Sequence, residues 1–316
     1  MDANRFIGIQ KLWGWKVATY LYLAGMGAGL YVIGFFLDVL HPENDFAFAS
    51  ELSLYAGAIV LIVAVLLIFS HLGTKANALR AFCSPGSSWL ARGSLVMIIL
   101  LFLDLVQIGR TDFQSILGWV TGLVALFVLV YTGMLLSSLK PFPFWHTWLL
   151  PFLFVFSGIG SGFMLLGLLI GLYGVFTDGA VMSSLKPVVS YIVFVTVGTA
   201  LILGLFLGRA SAVPSARDSF YMVTKGSRSM AFWIGVIVIG HVIPLGLGIY
   251  LLSRALHQPV LVFLSVILTL AGIIGGLLLK YLLLATATSA KLDVAGESVP
   301  LPESARFPAS HRVQYR

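Results

Sequence analysis

Eight predominantly apolar runs, at 15–37, 51–70, 89–108, 117–139, 146–172, 187–207, 230–252 and 259–284, constrain this chain more than any motif within it. A helix rising 1.5 Å per residue needs about 20 such residues to cross the ~30 Å hydrocarbon core of a bilayer, and each run is about that long. The runs are apolar on every face, whereas transmembrane strands alternate over segments about ten residues long. Helices alone satisfy their backbone groups internally in lipid without closing a barrel. The expectation is an all-α integral membrane protein with eight transmembrane helices.

Composition closes the alternative. The 316 residues are 59% hydrophobic and 10% charged, against about 45–50% and about 25% in soluble domains. So few charges could not cover so much apolar surface in water. The single cysteine, Cys83, excludes an internal disulfide, an iron–sulfur cluster and a cysteine-based zinc site. Any redox metal is therefore expected in a partner chain. The segment from Met1 to Lys11 is too polar for a signal peptide, so the first run reads as a retained span. The net charge of +7 does not imply nucleic acid, because the basic residues lie between apolar runs.

Their distribution predicts the topology. An even number of spans puts both ends of the chain on one face, and sixteen of the nineteen Lys and Arg fall on that face. Only Arg110, Lys186 and Arg254 fall on the other, where the first loop, Asp38 to Glu51, is acidic. The positive-inside rule then places both ends in the cytoplasm and the protein in the inner membrane.

A repeat is legible at an offset of 133 residues. Gly25, Gly27, Gly29 and Gly34 recur as Gly158, Gly160, Gly162 and Gly167, and Trp15 recurs as Trp148. The first and fifth runs enter from the same face, so the repeat is parallel. It implies two four-helix bundles, residues 1–140 and 141–285, followed by a polar C-terminal tail at 286–316. Gly25-xxx-Gly29 and Gly158-xxx-Gly162 read as close-packing faces. A dinucleotide fingerprint is rejected, because it requires a preceding strand. The halves differ where the first carries Tyr20 and Tyr22 and the second Leu153 and Val155, so the first bundle is the better candidate for a ligand site.

In order along the chain, Trp13-Gly14-Trp15, then Tyr20-Leu21-Tyr22-Leu23-Ala24-Gly25, His71-Leu72-Gly73, Tyr131-Thr132-Gly133 and Gly240-His241-Val242-Ile243-Pro244 resemble the NrfD family, the membrane subunits of polysulfide reductase and related enzymes. The resemblance spans all eight runs. It implies a membrane anchor that exchanges electrons between quinone (menaquinone or ubiquinone) and an iron–sulfur subunit. That subunit feeds a catalytic subunit, often molybdopterin-dependent, and the anchor carries no haem. It also implies a quinone pocket in the first bundle, on the face that docks the soluble subunits. The polysulfide reductase branch has a histidine where this chain has Tyr20.

The residues suit that chemistry. A quinone headgroup needs an apolar slot, hydrogen bonds to two oxygens and a source of protons. Tyr20, His71 and Tyr131 lie at similar depth below the face bearing the chain ends, and an imidazole titrates near neutral pH. Each has an alternative: Tyr20 and Tyr22 as interfacial belt aromatics, His71 as a cap on its helix. Asp104 and His241 are candidate proton relays. Asp104 could instead pair with Arg110, and His241 could bond a carbonyl freed by Pro244. Trp13 and Trp15 read as anchors, and no residues form a metal site.

Two other classes fit less well. A cytochrome b-type anchor needs paired histidines at matching depth. Of the six histidines, His41, His257 and His311 fall in loops or tail, and His71 and His146 at helix ends, which leaves His241 alone in a core. A secondary transporter favours inverted repeats and midplane charges, and this repeat is parallel.

Overall fold

A computed structural model describes residues 14–40, 46–71, 89–108, 113–175, 184–254, 257–289, 292–294 and 297–299; side chains at 69, 71 and 89–91, and in 292–299, lie outside this description. Nine helices are present among the described residues: α1 (Trp15–Leu40), α2 (Ala47–His71), α3 (Trp89–Ile108), α4 (Ile116–Ser137), α5 (Leu149–Tyr173), α6 (Leu185–Ala212), the short α7 (Arg217–Thr224), α8 (Ala231–Ser253) and α9 (Gln258–Ala285). Two short strands, Leu292–Val294 and Glu297–Val299, pair antiparallel.

Apart from that hairpin the fold is all-helical, and it is multi-pass. Among the described residues, seven helices are long and apolar enough to cross a membrane, where the sequence predicts eight. The eighth candidate, α3, has 20 residues, including Arg92 and Asp104. Large apolar side chains cover the outside: Phe102, Leu123, Phe194 and Phe263 are each exposed, as lipid-facing residues are. Trp15 and Trp148 are 61% and 70% exposed at the starts of α1 and α5, which suits interfacial anchors. Trp13 lies outside the described residues.

Helices α1 to α4 pack in a closed ring, α1 on α2, α2 on α3, α3 on α4 and α4 on α1. A second ring joins α5, α6, α8 and α9. The rings meet chiefly along α1 and α5, whose glycines allow backbone to touch backbone. A methyl group at Gly29 would lie 2.5 Å from the Gly158 carbonyl oxygen, and one at Gly162 would lie 3.0 Å from the Gly29 carbonyl carbon. Partner positions rise together along both helices, so α1 and α5 run parallel. The intervening glycines face elsewhere, and in the same way in each half. Gly27 and Gly34 admit Leu61 and Ser53 of α2, while Gly160 and Gly167 admit Val195 and Ile192 of α6.

One helix is wound unusually. The first half of α8, Ala231–Val242, is a π-helix and changes to α at Ile243, just before Pro244. The His241 Nδ1 lies 2.8 Å from the Val236 carbonyl, five residues back. The sequence expectation of a bond to a carbonyl freed by Pro244 is corrected in this respect. Proline removes the amide of residue 244, but the ring bonds farther down, within the π-turns. Such windings concentrate at functional sites.

Candidate functional site

Two of the three headgroup residues expected from sequence come together. Tyr20 on α1 and Tyr131 on α4 are each 1% exposed. They lie about 8 and 9 Å inside the ends of their helices at 1.5 Å per residue. Their phenols are within electrostatic reach of one another, yet the Tyr20 hydroxyl has no hydrogen-bond partner of good geometry. Burial rules out the belt-aromatic alternative for Tyr20. Leu21, Ala24, Leu135, Leu136, Phe144 and Trp145 belong to the same apolar cluster and keep the pair dry.

Tyr131 owes its position to Gly93 on α3. Its phenol ring occupies the space where a Cβ at Gly93 would stand. A Gly93→Ala substitution is therefore expected to turn Tyr131 out of its place. It should mimic loss of Tyr131 in any activity that depends on the pair, and circular dichroism should show the helix content unchanged. Wild-type activity in Gly93→Ala would mean that the placement of Tyr131 has no bearing on function.

His71 closes α2, but its side chain lies outside the described residues. Asp104 is far from the phenol pair. It is fully buried in the half of α3 away from Gly93, beside Gly57 and within reach of Tyr31, and among the described residues neither carboxyl oxygen has a hydrogen-bond partner; Arg110, the alternative partner, lies outside them. Tyr31 is 11 residues beyond Tyr20, or about 16 Å along α1. His241 sits in the other half of the molecule. The structure thus gathers Tyr20 with Tyr131 and leaves Asp104 and His241 as separate buried groups.

Several polar placements escaped the sequence. Tyr22 is buried, and its hydroxyl donates to the Ile273 carbonyl of α9 at 3.0 Å, latching the two rings together. Lys280, which the sequence places among the loop charges, is 2% exposed inside α9 and donates to Ser157 Oγ at 2.6 Å. The face bearing the helix ends is closed by Trp145, whose indole donates to the Leu283 carbonyl, and by Ser219 bonded to Thr288. Between α4 and α5 an open groove of about 580 Å³ faces outward, with Met134, Pro151 and Phe152 as apolar walls and His146, Thr147 and Arg209 at its polar end.

These features define a multi-pass helical membrane protein that keeps its polar chemistry inside, sealed from lipid by apolar faces. The chain belongs to the NrfD family, whose model, described as polysulphide reductase, NrfD, matches residues 4–290. It is similar to the polysulfide reductase C chain of Wolinella succinogenes, at 26% identity over 84% of this chain and 91% of that protein. Protein NrfD of Escherichia coli is 31% identical over 48% of this chain and 57% of its own length. The sulfite dehydrogenase C subunit of Allochromatium vinosum is 30% identical over 46% of this chain and 48% of its own. Two of these relatives are named as parts of redox enzymes, a polysulfide reductase and a sulfite dehydrogenase.

Proposed function

We propose that this chain exchanges electrons between membrane quinone and the iron–sulfur subunit of a respiratory oxidoreductase complex whose catalytic subunit is molybdopterin-dependent. The observation that carries the reading is the Tyr20 hydroxyl, buried beside the Tyr131 phenol with no hydrogen bond of good geometry among the described residues. A hydroxyl left so costs about 1–3 kcal/mol, and a carbonyl oxygen of a quinone is an acceptor that removes the cost. Menaquinone or ubiquinone, when bound, supplies two-electron, two-proton carrier chemistry. Tyr20 and Tyr131 hydrogen-bond its oxygens and orient its ring, and the apolar cluster around them excludes water. His71, at the same end of α2, is the third headgroup residue and holds an exchangeable proton. Asp104, a carboxyl without a hydrogen-bond partner among the described residues, and His241 serve as proton relays at greater depth.

The relatives' names, one from a polysulfide reductase and one from a sulfite dehydrogenase, support a redox assembly. The two rings of helices and the matching roles of their glycines support a duplicated pair of four-helix bundles, 1–140 and 141–285, with α3 as the eighth span and 286–316 as tail. Purification from native membranes tests the reading: the protein should bring down an iron–sulfur protein whose electron-paramagnetic signal responds to added quinol. A protein that purifies alone, or a signal indifferent to quinol, overturns it.

Both ends of the chain, and with them the docked soluble subunits, are placed on the cytoplasmic side of the inner membrane. Removing the buried Lys280 from the tally leaves fifteen basic residues against three, so the asymmetry survives. In a Cys83→Ser background, Ser227→Cys in the exposed turn between α7 and α8 should resist an impermeant thiol reagent in intact cells and react after lysis. Labelling in intact cells would reverse the orientation.

A further inference from the structure

The second ring of helices contains a polar interior of which the quinone reading uses only His241, as a relay. Lys280 is its most unusual member. Besides donating to Ser157 Oγ at 2.6 Å, its Nζ lies 3.2 Å from the centre of the Phe154 ring, and among the described residues no carboxylate pairs with it. A lysine so near a helix end ordinarily extends its amine to the interface. This one turns inward, so something inside the bundle must suit it.

Next to it is a small cavity of about 40 Å³ lined by Ser157, Ser161, Thr196, Thr199, His241 and Met164, with glycines of α5, α8 and α9 completing the walls. One water needs about 10–15 Å³ of such volume and two to four polar partners, so the cavity has room for about three or four. The hydrogen bonding of its walls specifies the occupant. Ser157, Ser161, Thr196 and Thr199 each spend their hydroxyl proton on a carbonyl of their own helix, at 3.2, 2.9, 2.7 and 2.8 Å. The His241 Nδ1 faces the Val236 carbonyl, which can only accept, so Nδ1 carries the ring proton. What remains on the lining residues is hydroxyl lone pairs, one of Ser157 taken by Lys280 and Ser161 within reach of the Tyr22 hydroxyl, and the bare Nε2 of His241. The walls present acceptors and the Lys280 amine is the donor at their edge, so an occupant must donate.

We propose that this cavity is an internal hydrated proton-binding site, in which water links the Lys280 amine to the His241 imidazole. A proton leaving Lys280 Nζ passes by Ser157 and water to His241 Nε2. One N–H bond breaks and one forms, leaving a neutral amine and an imidazolium. Among the described residues the other titratable group packed on this region is Tyr22 of α1, whose ring edge lies 3.0 Å from a Cβ placed at Gly276, and whose hydroxyl donates to the Ile273 carbonyl and lies within reach of Ser161. Helices α5 and α6 contribute only hydroxyls to the cavity wall as polar groups. Lys280 stands five residues from the end of α9, as Tyr131 stands six from the end of α4. Each half thus carries a buried polar group at the same level on its last helix, a phenol in one and an amine in the other.

Two measurements, each begun on the unaltered protein and neither reading quinone turnover, test this. X-ray hydroxyl-radical footprinting oxidises buried side chains only where water is held beside them. Met164, 4% exposed, should be modified several-fold faster than Met26 and Met97, which are as deeply buried but do not line the cavity. A Ser161→Ala, Thr199→Val variant should lower the Met164 rate to theirs. A wild-type rate for Met164 no higher than for Met26 would show the cavity to be dry and overturn the site. Solid-state ¹⁵N spectra of lysine-labelled protein, assigned by Lys280→Met, should show the Lys280 resonance moving reversibly between ammonium and amine positions as pH is stepped. In His241→Phe that midpoint should shift. A resonance fixed at one position throughout, or one indifferent to His241, overturns the proton exchange.

Discussion

Replacing Tyr20 by phenylalanine is expected to leave the protein as stable as wild type or more so, while slowing quinone-linked turnover. The two effects separate because the hydroxyl is buried with no partner. Its removal recovers a desolvation cost of about 1–3 kcal/mol that a packing residue would not carry. If the hydroxyl binds a quinone oxygen, the lost bond is worth about 0.5–1.5 kcal/mol, or roughly 2- to 13-fold in rate. Tyr131→Phe should lose more if that phenol also passes a proton, a role worth about 10²–10⁴-fold. Its ring keeps the place beside Gly93, so stability should barely change. Activity with a dye that feeds the soluble subunits directly should survive in both variants. The check is a paired measurement of melting temperature and quinone-against-dye activity in the assembled complex. Wild-type quinone kinetics in both variants would move the pocket elsewhere, and the buried Asp104 would be the next place to look.

That separation is partly legible in the sequence. Tyr131 sits deeper in its apolar run than an interfacial aromatic should, and depth alone marks it. Tyr20 is ambiguous, because a tyrosine one turn inside a helix suits either the belt or the interior. The neighbour that decides, α4, is over a hundred residues away. Tyr22 is opaque for the same reason, since its partner Ile273 is 251 residues distant. Lys280 reads as an interfacial charge on sound grounds: lysines four or five residues from a helix end usually reach the headgroups. Only the third dimension reveals that Phe154 and Ser157 hold it inside. The π-winding of α8 leaves no mark except Pro244, which explains where it stops and not why it starts. By contrast the spans and the glycine pattern are plain. Lipid forces every backbone group to pair within its helix, and close contact between helices admits few residues but glycine.

The glycine pattern also yields a graded prediction for assembly. At Gly29 a methyl group would stand 2.5 Å from the Gly158 oxygen and 2.9 Å from its carbonyl carbon. Both obstacles are backbone, so no rotamer change relieves them. Helices α1 and α5 must move apart, and the contacts between the two rings loosen with them. At Gly25 the same methyl would meet Gly158 Cα at 3.5 Å, an ordinary contact, and at Gly204 it would meet nothing within 4 Å. Overpacking of a tight core costs about 1–3 kcal/mol, occasionally more. Gly29→Ala should lose about that much, Gly25→Ala little, and Gly204→Ala nothing or a slight gain from helix propensity. Gly29→Leu should exceed what the fold tolerates and remove the protein from the membrane fraction. Reversible unfolding of the three alanine variants in mixed micelles measures the order directly. If Gly29→Ala unfolds with Gly204→Ala, the backbone seam between α1 and α5 is not what holds the two halves together. The latch from Tyr22 to Ile273 would then be the contact to test, and Tyr22→Phe should carry the loss in its place.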